Sequence, residues 1–479
     1  MKNIIRSHAP LVVLIGVWIW IGLHLSIGYP GIISKAEAKE LFVSSAGTGT
    51  TCIQTAPCLL DTALDQAVDE DLVYVSQGTY NGSGAAVVTL NHNVLLYGGW
   101  DGTTETPVIL NPELYPSILD GEDARRVIHI NDATSPTIDG FTVTGGKAED
   151  GAGVYIQNAS PTIRNNIITS NRTIDGGTYT DGRGAGIFVS GNCQPDISQN
   201  LIHNNTSGYG AGIYHHDGTF PITISANIIR DNVASFRGGG ITIERCQDLI
   251  ESNLISGNSA GDDGGGILIW AAAPLVKGNQ IWNNTSYQGA GISMGNAATP
   301  ELYNNLVFSN TKDGLYVSSS SPVAVNNTII GNGSGSGYGI KLQSGSSCSP
   351  PYCTAGNLIN NIVVNYDVGI YGASTISTYM DYNDVWGNVV ADFSLPSGVA
   401  AGIHTISVNP RFNNPAEDDY HLKRSSRCID AGDPAGVPPA PETDIDGDIR
   451  PTGKQVDIGA DEASYNYFAK PPIELLLLD

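Results

Sequence analysis

Gly210-Ala211-Gly212-Ile213-Tyr214-His215-His216, with Asn227-Ile228-Ile229-Arg230-Asp231-Asn232 behind it, is one copy of a unit that recurs along the chain. The glycine part returns as Gly151-Ala152-Gly153-Val154, Gly184-Ala185-Gly186-Ile187, Gly238-Gly239-Gly240-Ile241, Gly264-Gly265-Gly266-Ile267 and Gly289-Ala290-Gly291-Ile292, with weaker copies ending at Gly314, Gly339 and Gly369. The third glycines step by 33, 26, 28, 26, 25, 23, 25 and 30 residues. A period of that size marks a solenoid, in which each repeat buries its apolar face only against its neighbours.

Two asparagines ride at fixed phase on this repeat. One series begins Asn166, Asn200, Asn227, Asn253, Asn279, Asn305; the other, five residues on, begins Asn171, Asn205, Asn232, Asn258, Asn284, Asn310. Short apolar stretches such as Ile228-Ile229 lie between them. Three short strands per turn need sharp corners, so the asparagines are expected to take positive φ there. Stacked amides can also hydrogen-bond along the axis where water is scarce. A propeller repeat is longer, about 40 residues, and needs antiparallel hairpins that are not evident here. The expected fold is all-β, a single-stranded right-handed parallel β-helix with an N-terminal helical cap.

Composition limits the partners. The formal charge is −24, with none of the clustered Lys and Arg on which phosphate binding relies, so nucleic acid is excluded as a partner. The same charge disfavours an acidic polysaccharide unless Ca²⁺ bridges it. Lys2 and Arg6 precede an apolar run from Leu11 to Ile27, and Ala36 and Ala38 follow, the layout of a secretory signal peptide. Cleavage after Ala38 is expected, with an uncleaved anchor as the alternative; membrane contact is expected only through this segment. Seven cysteines suit an oxidising compartment. Cys52–Cys58 and Cys348–Cys353 are close enough to form two bridges, whereas Cys193 and Cys246 fall on non-adjacent coils. Their spacings show no Cys/His metal motif.

On these marks the chain resembles the pectin-lyase-like parallel β-helix repeat proteins of bacterial surfaces, over about residues 41–465. Asn409-Pro410-Arg411-Phe412, Cys428-Ile429-Asp430-Ala431-Gly432-Asp433-Pro434 and Asp444-Ile445-Asp446-Gly447-Asp448 through Asp457-Ile458-Gly459-Ala460-Asp461-Glu462 are similar to a choice-of-anchor-Q domain. The resemblance implies an exported protein, extracellular or on the bacterial cell surface. No sortase motif follows Glu462. The chain divides into a signal peptide (1–38), a cap and first coil (39–80), the β-helix (81–400), the choice-of-anchor-Q-like region (401–465) and a tail (466–479).

Alternation along the Gly-x-Gly-apolar-x-apolar strand directs Val154, Ile187, Ile213, Ile241 and Ile267 inward and Tyr155, Phe188, Tyr214 and Tyr316 outward. That outward stripe suits sugar rings. Two positions on, His216, Glu244 and Trp270 should align on consecutive coils beside Tyr214: a carboxylate, an imidazole and an indole platform. Tyr155, Phe188, Tyr214, Trp270 and Tyr316 are thus the candidate glycan contacts, and His216 and Glu244 the candidate catalytic pair. His215 takes an otherwise apolar position, as expected of a core histidine.

Asp262-Asp263 invites comparison with polygalacturonases, but lies in the loop before the glycine triplet, in register with Arg183, Tyr209 and Arg237. Moreover, the Asn-Thr-Asp, Gly-His-Gly and Arg-Ile-Lys motifs are absent. Asp444, Asp446 and Asp448 resemble the start of a calcium loop, with pairing to Arg450 as the favoured alternative; Ca²⁺ is the one cofactor to consider. The leading reading is an extracellular β-helix that binds polysaccharide or cell-envelope glycan without catalysis. The rival is a polysaccharide lyase or glycoside hydrolase.

Overall fold

The computed structural model describes residues 38–131, 134–174, 182–344, 354–373, 376–433 and 439–463. The signal peptide, the Cys348–Cys353 pair and the tail after Ala463 lie outside these residues, apart from Ala38 at the edge of the signal segment.

Short strands wind into a right-handed parallel β-solenoid of about 12 turns. The first sheet has 13 strands, from Glu40–Val43 to Ser377–Asp381; the second has 12, from Ala86–Leu90 to Ala391–Ser394; the third has 12, from Gly78–Tyr80 to Asp384–Trp386. A further five-stranded sheet runs from Lys147–Ala148 to Ser259–Ala260. Register between coils follows the glycine marks: Ile187, Ile213, Ile241 and Ile267 pair in succession. All four are fully buried. At the N-terminal end a helix, Leu60–Gln66, turns Leu60 and Ala63 into the core, and the Cys52–Cys58 disulfide is formed beside it. Among the described residues no helix is long and apolar enough to cross a membrane.

The glycine triplet has two distinct demands. Its first member takes positive φ, 60° at Gly184 and 56° at Gly210, which an L side chain resists. Its third member needs close approach: a Cβ on Gly186 would stand 2.4 Å from the carbonyl oxygen of Gly212 on the next coil.

The asparagine series form two buried ladders. Asn205 Nδ2 donates to the Ile168 carbonyl at 2.9 Å and to Asn232 Oδ1 at 3.0 Å. Its own Oδ1 accepts from the backbone and side-chain amides of Asn171 at 3.1 and 3.0 Å. The axial bonding is as expected, but the corner conformation is not. Positive φ falls one residue earlier, at Gln199, Asn204, Ala226, Asp231 and Ser252. The reason is geometric: an αL residue at the corner points its side chain out, so the next residue is the one aimed into the core. Glycine or a polar residue suits the first place, and only a side chain with a donor and an acceptor suits the second.

In the last coils this αL column becomes asparagine and finds a use. Asn326 Nδ2 donates to the carbonyls of Asp457 and Gly459 at 2.8 and 3.0 Å. Asn360 accepts from the Asp433 amide at 2.8 Å. These bonds fasten the C-terminal segment along the third sheet. Phe412, Leu422, Cys428 and Ile458 pack there on Phe308, Ile330, Ile362 and Val364, and Phe412–Asn414 pairs antiparallel with Asp419–Leu422.

Asp444 does not join Asp446 and Asp448 in a common group of ligand atoms. Its Oδ1 accepts the amides of Asp446 and Asp448 at 2.9 and 2.8 Å, and its Oδ2 that of Glu462 at 2.9 Å. The loop is held by its first aspartate through these three amide hydrogen bonds. Arg450 does not pair with these aspartates either. It pairs with Glu462 at 3.0 Å, both side chains wholly buried.

Burial pushes the Asp457 and Asp461 carboxyls up to about 7 each. Hydrogen bonding to Asp446, with help from Asp461 and Asp419, raises His421 to about 10. All three shifts are upward, so each contribution to stability is present below the group's unfolded pKa and is lost as pH rises through its folded pKa. The windows are about 4 to 7 for the acids and about 6.5 to 10 for the histidine. Each group contributes up to about 1.4 kcal/mol per pH unit inside its window. We expect the thermal midpoint to fall steadily from pH 5 to pH 9; a rise over that range in scanning calorimetry would refute this account.

Candidate functional site

Strand pairing places His216, Glu244, Trp270 and Gly295 side by side on four successive coils of the second sheet. The first three edge a cleft of about 470 Å³. Tyr214, Thr242 and Leu268 form its floor, Arg183, Tyr209 and Arg237 one wall, and His216, Glu244 and Trp270 the other. At Tyr214, Thr242 and Leu268 the outward face therefore lies in a concave groove. Strand alternation supplies the floor and the second wall. The loop before each glycine triplet supplies the first, because that loop must rise before the αL glycine turns it back.

Most of the aromatic stripe is closed to solvent, Tyr155 staying half-buried. Phe188, Tyr214 and Tyr316 are only 3%, 4% and 6% exposed. Coils stacked about 4.8 Å apart bring the rings onto one another: Tyr155 to Phe188 is 5.3 Å between centroids, and Phe188 to Tyr214 is 5.9 Å. Cationic side chains cover them. Arg183 lies over Phe188, Arg126 over Tyr155 and Lys341 over Tyr316. The sequence places Arg183 and Arg237 at the same phase of the repeat, at the loop edge, but that phase did not show that they lie over the rings. Trp270, partly exposed, keeps more surface, with Arg237 5.0 Å above its ring centre.

The polar groups of the cleft are closely paired. Glu244 accepts hydrogen bonds from the Tyr214 hydroxyl and from Arg245. Arg245 also pairs with Asp217 and touches His216. His216 Nε2 is 3.3 Å from Asp217 and 3.9 Å from Glu244. Arg183 is held by Asp150 at 2.7 Å, and Arg237 by Asp262 at 2.9 Å and Asp263 at 3.4 Å. Burial lowers the His216 pKa. Burial, reinforced by Glu244, raises the Tyr214 phenol far above its ordinary value, so the phenol stays a donor. Burial likewise raises Asp263 to about 6. Asp262 and Asp263 keep the loop position their register implied and serve as partners of Arg237.

A second cavity, about 290 Å³, lies between the folded-back C-terminal segment and the third sheet. Trp282 and Phe308, stacked at 5.7 Å, form one wall, and Tyr420, His421, Asp446 and Asp461 another. His421 is bonded there to Asp419 at 2.6 Å and to Asp446 at 2.8 Å. The pairing of Trp282 with Phe308 on adjacent coils is a register signal that the sequence offered. The residues facing them arrive from more than 100 positions later and offered none.

No curated protein matches the sequence. Among solved structures, the complex of XylC with xylose matches 89% of this chain and 98% of its own, at 11% identity and a TM-score of 0.50. The periplasmic alginate epimerase AlgG matches 77% and 84%, at 14% identity and a TM-score of 0.50. Pectate lyase Pel9A matches 89% and 96%, at 14% identity and a TM-score of 0.47. At such identities the likeness is one of fold. The model of the right-handed β-helix region matches residues 122–270 and 211–390, which together take in more than half of the chain; the protein belongs to the right-handed β-helix family.

Proposed function

We propose that the protein is an exported glycan-binding β-helix whose cleft between Arg237 and Trp270 holds a neutral polysaccharide strand. The observation that carries this reading is the matched charge of the cleft. Arg183, Arg237 and Arg245 are each paired with carboxylates, leaving no arginine or lysine of the cleft free for a uronate among the described residues. Paired guanidinium and carboxylate groups still offer fixed donors and acceptors to hydroxyls, and Trp270 offers a ring edge to an apolar sugar face. A solved relative in fold carries xylose, and another is an alginate epimerase by name; carbohydrate is the common theme. The signal-like N-terminus and the choice-of-anchor-Q-like residues support a location outside the cell.

A second reading rests on one contact set: Glu244 bonded to Tyr214 and 3.9 Å from His216. A carboxylate, a phenol and an imidazole in one cleft have the groups needed for proton transfer in lyase or hydrolase chemistry.

Affinity electrophoresis against neutral glycans, polygalacturonate, alginate and chondroitin separates the two. Binding to a neutral glycan, weakened at least about tenfold by Trp270→Ala with no new sugar ends released, is the expected result. Unsaturated or reducing ends that disappear in Glu244→Gln would replace the binding-only reading with the catalytic one. Failure of every glycan to bind or react would overturn both.

A further inference from the structure

Beneath the cleft the aliphatic core is interrupted. The inward position that holds Val189 and Ile243 on the neighbouring coils holds His215, which has no solvent exposure. Its Nδ1 lies 2.7 Å from Oδ2 of Asp248, itself buried, whose Oδ1 accepts the Ile222 amide at 3.1 Å. Cys246, only 2% exposed, receives the Gly218 amide on its sulfur at 3.2 Å. One ring nitrogen, one sulfur and one carboxylate oxygen of these three residues lie within 4.8 Å of one another.

Packing gives no reason for this cluster. Valine and isoleucine fill the same place above and below. An ionisable pair in a dry core costs several kcal/mol in desolvation. His215 Nε2 has no hydrogen-bond partner among the described residues, a further cost of about 1–3 kcal/mol. That nitrogen faces Gly218. The point where a Cβ would stand on Gly218 is 2.2 Å from Nε2 and 3.4 Å from the Cys246 sulfur. Only glycine lets the bare imidazole nitrogen and the thiol approach the chain at this point, while the carboxylate grips the far side of the ring.

We propose that His215, Cys246 and Asp248 form a core site for a thiophilic closed-shell cation, Zn²⁺ or Cu⁺. Nε2 and the sulfur bind the ion, and Asp248 fixes the ring through Nδ1–H. The donor types are those such ions prefer, and a carboxylate behind a ligating histidine is their usual support. Bonds of about 2.0–2.1 Å to nitrogen and about 2.3 Å to sulfur require the ring and the thiol to close on the ion from their places within 4.8 Å of one another. Binding displaces the thiol proton to solvent. The thiolate and the Asp248 carboxylate then balance Zn²⁺, or leave one negative charge with Cu⁺. No sequence spacing announced the site, because His215 and Cys246 lie on adjacent coils, 31 residues apart. Buried this deeply, the ion would enter before the coils close.

The test uses the full chain, unfolded and refolded with Zn²⁺, Co²⁺ or, under reducing conditions, Cu⁺, then desalted and assayed for metal. About one equivalent of Zn²⁺ or Cu⁺ should be retained, and the Co²⁺ form should show a thiolate-to-metal charge-transfer band. Cys246→Ala should abolish both. His215→Val should also abolish them while preserving the β-sheet circular dichroism, since it restores a neighbouring coil's residue. The Co²⁺ band in the unmutated chain keeps the test decisive if either variant fails to fold. Retention of neither Zn²⁺ nor Cu⁺ by the refolded wild type, or undiminished retention in a folded Cys246→Ala/His215→Val chain, would overturn the proposal.

Discussion

Asn205→Ala is expected to destabilise the protein by about 3–5 kcal/mol, whereas alanine at the adjacent Asn204 should cost only about 1 kcal/mol. The two residues look alike in sequence and do opposite work. Asn205 is wholly buried and joins Asn171 below it to Asn232 above, while also satisfying the Ile168 carbonyl. Removing its amide leaves the Ile168 carbonyl and the Asn171 amide in a dry core with one bond fewer each, and no water to replace it. Asn204 is exposed and has φ of 55°; alanine there suffers the αL penalty and loses one exposed hydrogen bond, to His203. Aspartate at 205 should be no better than alanine, because a carboxylate would aim oxygens at the Ile168 carbonyl and at Asn232 Oδ1. Urea unfolding followed by circular dichroism reads all three variants. A larger loss at 204 than at 205 would show that the ladder is not what holds the coils in register.

The same pair of residues shows what could be read from sequence and what could not. A solenoid is nearly one-dimensional, so a period in residue number becomes a period in space. That is why His216, Glu244 and Trp270 could be aligned without coordinates, and why the inward and outward series came out correctly. Phase within the coil is subtler. Gln199-Asn200, Ala226-Asn227 and Ser252-Asn253 share only their second member, and it is this constancy that marks the inward place rather than the αL one. Side chains that reach across the solenoid from a distant segment left no periodic trace. The His421 cavity is closed by a segment that folds back on the third sheet. Contacts of that kind depend on where a loop lands, which spacing does not encode.

Arg450→Met is expected to cost about 3–5 kcal/mol and to release the C-terminal segment. Arg450 and Glu462 are the one wholly buried Arg–carboxylate pair among the described residues, and the guanidinium also donates to the carbonyls of Asp457 and Gly459. Asp444, Asp457 and Asp461 stand close enough to bear on its charge. Taking the cation away leaves several acids facing one another in a space that excludes water. The carboxyls must then bind protons or part. Limited proteolysis should therefore cut the variant within residues 403–463 while sparing the solenoid, more readily at pH 8 than at pH 5. The companion change Glu462→Gln removes the charge that Arg450 answers, so the double variant should recover part of the loss even though each single one is harmed. An additive double variant, as harmed as the sum of its parts, would mean that Arg450 acts through its carbonyl contacts alone and that the buried charge pair is incidental to the docking of this segment.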